Sequence, residues 1–99
     1  MKRYIEEKEL LVLYFSAYFL HGRSKYGALE RGDIRLARIA ACRGVMQVCD
    51  AFKETPKPLP RSQLERGFAL LEAQAEKLAE GAFRTNYLET LTVLKKTVS

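Results

Sequence analysis

The apolar run from Leu10 to Leu20 is hydrophobic on two sides instead of one. At ~100° per residue, Leu11, Val12, Phe15 and Phe19 fall on one flank of a helix and Leu10, Leu13, Ala17 and Leu20 on the other. Only Glu9 and Ser16 along one edge, and Glu7 with the Tyr14 and Tyr18 hydroxyls along the other, separate them. A helix of this kind has to be covered twice, by its own chain or by another. The pattern predicts a helix over about residues 3–21, ended by Gly22 as a left-handed cap with His21 as a cation at the C-terminus.

The next periodic stretch predicts a helix over about 33–53. Its main stripe is Ile34, Ala37, Ala41, Gly44, Val45, Val48 and Phe52, with Ile39, Cys42, Met46 and Cys49 behind it. The small residues Ala37, Ala40, Ala41 and Gly44 invite close approach of another helix. Residues 54–61 hold Pro56, Pro58 and Pro60 and read as a stiff connector. A third helix follows over about 62–80, with Ser62 as cap and Glu65 three residues on. Leu64, Phe68, Leu71, Ala75 and Leu78 face inward there, and Glu72, Glu76 and Glu80 outward. Gly81 separates it from a fourth over about 83–98, with Phe83, Tyr87, Leu91, Leu94 and Val98 inward. The expected fold is all-α: one four-helix domain over 1–99, built of two helical hairpins in a bundle-like arrangement. The first two helices would form a central, doubly covered layer that dimerisation could complete.

Ninety-nine residues suffice for a single core burying roughly 60 to 70 % of the unfolded surface. Composition, with 47 % hydrophobic and 29 % charged residues, excludes a disordered chain. The eleven apolar residues from Leu10 to Leu20 fall short of the ~20 needed to span a bilayer, and Glu6, Glu7 and Glu9 before them do not suit a signal peptide. No membrane partner is expected. Cys42 and Cys49 are seven residues apart, about 10.5 Å along a helix, too far for a disulfide with each other. Free thiols suit a reducing compartment, so the expected location is cytoplasmic.

Charge is more telling in its distribution than in its total. The net charge is +5, and between Arg23 and Arg43 six basic residues stand against Glu30 and Asp33, which puts +4 of it in that segment. Arg31, Arg35 and Arg38 are four and three apart and project from one side of a helix, with Arg43 displaced. Their planar donor forks suit carboxylates or phosphates, either of an acidic protein partner or of nucleic acid; alternatively Glu72, Glu76 and Glu80 pair with them internally. The second candidate surface, for an oligomer or partner, comprises Leu11, Phe15, Tyr18, Phe19, Cys42, Met46 and Cys49.

Leu36 to Val45 resembles the first helix and turn of a helix-turn-helix, with Ala40, Gly44 and Val45 at the expected offsets. Against this, Arg43 stands at a usually apolar position, Asp50 where a buried aliphatic belongs, and no capping residue follows Gly44, so a continuous helix is the more economical expectation. Gly32-Asp33-Ile34 and Gly81-Ala82-Phe83, each opening a helix with Ala37 after the first, resemble tetratricopeptide-like hairpins, which would imply protein binding. No nucleophile with a base at a suggestive offset is found, and two thiols with one histidine fall short of a zinc set, so neither catalysis, cofactor nor metal is expected. The expected function is non-catalytic protein binding, as an adaptor, chaperone or inhibitor, through an apolar helix face flanked by arginines. The alternatives are a dimeric DNA-binding regulator with a degenerate helix-turn-helix around 36–52, and a self-assembling structural subunit.

Overall fold

The computed structural model describes residues 3–26 and 32–98. In chain order these form β1 (Tyr4–Ile5), α1 (Glu7–Tyr26), α2 (Gly32–Ala51), β2 (Leu59–Pro60), α3 (Arg61–Glu76) and α4 (Ala82–Lys95), which closes in a 3-10 turn over Lys96–Val98. The four-helix, all-α architecture expected from the periodicity is present.

α2 occupies the centre and packs against α1, α3 and α4. Its Ala37, Ala41, Cys42 and Val45 are wholly buried. Of the small residues of α2, Gly44 is the one at which α3 comes close. A Cβ on Gly44 would stand 2.8 Å from Leu71 Cδ2, and one on Gly67 would stand 2.6 Å from Val48 Cγ1. These two contacts run in opposite chain directions, so α3 is antiparallel to α2. From α3, Leu64, Phe68, Leu71 and Ala75 fill the core, joined from α4 by Tyr87, Leu91 and Leu94 and by Val98 of the closing turn.

α1 departs from the expected layer. Leu10, Leu13 and Ala17 are buried against the rest of the chain, but the opposite flank is uncovered. α3 and α4 both pack on α2, while α1 meets α2, the closing turn and α4.

Four further boundaries differ from the sequence reading. Residues 4–5 are extended, because Ile5 and Leu59, both fully buried, pair across an antiparallel two-strand ladder with Tyr4 opposite Pro60. The Arg61 amide extends that ladder, donating to the Arg3 carbonyl at 2.8 Å. The proline connector is therefore also a clasp on the N-terminal segment. α1 runs through His21 and Gly22 to Tyr26, so Gly22 is a helical residue and not a cap. α3 starts from Pro60 with no side-chain cap bond, so Ser62 lies inside the first turn. It stops at Glu76, which leaves Leu78 partly exposed. Gly81, at φ +149° and ψ −170°, then takes an extended positive-φ conformation, open essentially to glycine alone, just before α4.

Candidate interaction surface

Because α1 is apolar on two flanks and α2 covers one of them, the other is left to solvent. Leu11, Val12, Phe15, Tyr18 and Phe19 are 50, 52, 51, 56 and 67 % exposed. They share about a third of the helix circumference over about 12 Å of its length. Together they expose on the order of 450 Å² of apolar side chain, within the range of patches that mark interaction sites. The rings are held edge-on, Tyr14 against Phe15 at 5.9 Å and Tyr18 against Phe19 at 6.1 Å between centroids. Leu36, Leu70 and Val93 are as exposed but stand singly on α2, α3 and α4, as scattered surface aliphatics do.

A groove of about 280 Å³ adjoins this face where the start of α1 meets the end of α2. Leu10, Tyr14 and Cys49 line its floor, and Glu7, Asp50 and Lys53 its rim. The meeting of Leu10 with Cys49 makes α1 and α2 antiparallel. Lys57, which also lines the groove, holds the end of α2, its ammonium donating to the carbonyls of Phe52 at 2.7 Å and Thr55 at 2.6 Å.

Cations gather toward the other end of α1. Arg23 and Lys25 are exposed in its last turns, and Arg43 of α2 is exposed nearby. His21, half-buried, is held below its ordinary pKa by burial first and then by the Arg43 and Lys25 charges. This corrects the expectation of a histidine cation at the helix end: the helix continues past it, and its surroundings disfavour its charge. Arg35 and Arg38 are half-buried, and Arg38 is close enough to influence the Cys42 thiol. Arg31 lies outside the described residues. Of the acidic stripe, Glu72 reaches Lys95 of α4 at 3.7 Å, while Glu76 and Glu80 are exposed.

Of the seven residues read as an interface, Leu11, Phe15, Tyr18 and Phe19 form one surface and the other three do not join it. Cys42 and Cys49 are 0 and 4 % exposed, and Met46 packs partly buried against the same core. The physical reason is that α1 itself covers the lesser stripe of α2. Burial pushes the Cys42 thiol up to about 11 and Cys49 to about 12; Asp50 adds to the latter. Val12 and the groove rim were absent from the expected set, although Val12 shares the flank of Leu11 and was legible from spacing.

The continuous helix expected in preference to a helix-turn-helix is present. α2 is unbroken from Gly32 to Ala51, and Gly44 sits beneath Leu71 of α3 instead of turning the chain. Among the described residues, no group of three or more His, Cys, Asp or Glu side chains converges as metal ligands would. No described helix is long and apolar enough to cross a membrane. No protein-family model, curated protein or solved structure matches this chain.

Proposed function

We propose that the chain is a small non-catalytic protein-binding module, acting as an adaptor, chaperone or inhibitor in a reducing, cytoplasmic setting. The outer face of α1 is its docking surface. The observation that carries this is the continuous exposure of Leu11, Val12, Phe15, Tyr18 and Phe19 on one flank of a helix whose other flank is core. At ~25 cal/mol per Å², covering that face yields about 10 kcal/mol gross. Association itself costs about 4 to 15 kcal/mol, so the polar rim decides net affinity. Arg23, Lys25 and Arg43 at one end of α1 supply that rim, with Arg35 and Arg38 behind, and favour an acidic surface through faster encounter.

Hydroxyl-radical footprinting in an extract of the cells that make the protein tests this against an internal standard. Phe19 and Leu70 have the same 67 % exposure. After correction for intrinsic reactivity, a docked α1 face gives Phe19 a protection factor several-fold above that of Leu70. Equal protection would rule out docking at this face.

A further inference from the structure

The outer face of α1 carries its own complement. The first turn of α1 is acidic, with Glu7 and Glu9, and the last is basic, with Arg23 and Lys25. Between them the apolar residues are placed symmetrically about Phe15: Leu11 and Phe19 four positions away on either side, Val12 and Tyr18 three. Turned end for end, the helix presents an equivalent surface. We propose that the occupant of this face is a second copy of the chain, its α1 antiparallel to the first about a two-fold axis at Phe15. The proposal rests on α1 being a protein-docking face and names what docks there.

The register follows from helix geometry. Leu11 and Tyr18 lie on one flank of the Phe15 line, Val12 and Phe19 on the other. A two-fold perpendicular to the helices keeps like flanks together, so Leu11 packs beside Tyr18 of the second copy and Val12 beside its Phe19. Phe15 meets its own copy at the axis. Glu7 and Lys25 are separated by five full turns and share a flank, which sets Glu7 of one copy beside Lys25 of the other at both ends.

A separate observation agrees. Gly22 is in the interior of α1, where glycine is disfavoured, yet among the described residues a Cβ there would meet nothing within 4 Å. Packing among the described residues of one copy gives no reason for it. In the antiparallel pair Gly22 lies at the level of Lys8 of the second copy, on the same Phe15 line, and leaves room for that long side chain. The apolar patch of about 450 Å² is the core of an interface whose standard size is roughly 800 Å² per partner, the charged ends supplying the rim.

Three measurements on the purified full chain test it together. Light scattering across micromolar concentrations should give twice 11.3 kDa. Phe15→Cys should form a disulfide-linked dimer on mild oxidation with diamide, many times faster than Leu36→Cys on the exposed side of α2. Glu7→Lys and Lys25→Glu should each weaken dimerisation about fivefold and, combined, restore it. A monomer at every concentration, or a dimer in which Phe15→Cys cross-links no faster than Leu36→Cys, overturns the proposal. If that monomer still shows Phe19 protected in cell extract, self-association alone has failed; if Phe19 is unprotected there too, docking at this face has failed with it.

Discussion

Gly67 of α3 faces Val48 of α2 so closely that a Cβ at position 67 would stand 2.6 Å from Val48 Cγ1. Valine is stiff at χ1 and cannot swing its methyl aside as the end of a leucine can. Gly67→Ala gains about 1 kcal/mol of helix propensity and loses about 1 to 3 kcal/mol to overpacking. Net destabilisation of about 1 kcal/mol is expected in denaturant titration. Adding Val48→Ala should make the two changes non-additive, because it gives the new methyl its space.

Gly22→Ala should do the reverse. Among the described residues nothing lies within 4 Å of its Cβ position, so the substitution stabilises the monomeric fold by up to about 1 kcal/mol. Thermal unfolding of both variants under the same conditions checks the contrast in sign.

Lys57 closes the end of α2 by donating to the Phe52 and Thr55 carbonyls. Lys57→Met keeps most of the stem and removes both charged hydrogen bonds, for an expected loss of about 1 to 2 kcal/mol. In a domain of this size that lowers Tm by roughly 5 to 12 °C. An unchanged Tm would show that the connector holds without it.

The two thiols give stability a signature in alkaline solution. Their folded values of about 11 and about 12 exceed the ordinary value of 9.0, so above pH 9 the unfolded chain releases protons that the folded chain retains. Their stabilising contribution is complete below pH 9 and is lost progressively as pH rises toward 12. Stability measured by denaturant at successive pH values should therefore fall over that window, and less so in Cys42→Ala/Cys49→Ala. Alkylation at pH 8 should be slow for both native thiols and fast in denaturant, since buried thiols react through opening of the fold.

His21 acts in the opposite direction. Its depressed folded pKa means that the unfolded chain binds the proton more tightly, so its contribution is present above pH 6.5 and lost as acidity rises through the folded value. It is the single histidine of the chain, so an NMR titration reads it without ambiguity. Arg43→Gln should raise its pKa only in part, because burial is the larger cause and Arg43 the second.

Helix number and the inward stripes of α3 and α4 were legible because each of those helices has one apolar face, and period alone then orients it. The double face of α1 was legible too, yet spacing could not reveal which flank the chain itself would cover. That depended on α3 meeting α2 through Gly44 under Leu71 and Gly67 against Val48, and on α4 packing against α2 as well. The inner flank of α1 in turn covered the stripe that carries Cys42 and Cys49 and made them core. The Ile5–Leu59 clasp was hidden because two residues on each side give no periodicity, and its partners lie more than fifty positions apart. Gly22 misled because a glycine after a histidine matches a helix end in sequence, whereas here its value is the open space above it.

The central claim is that the outer face of α1 is covered by protein. A photo-activatable phenylalanine analogue at position 19, and in a parallel sample at position 70, tests it in the cells that make the chain. A protein-binding face predicts discrete protein adducts from position 19 and none above background from position 70, with a mass of twice 11.3 kDa if the partner is a second copy. Equal, background-level labelling from both positions would contradict it.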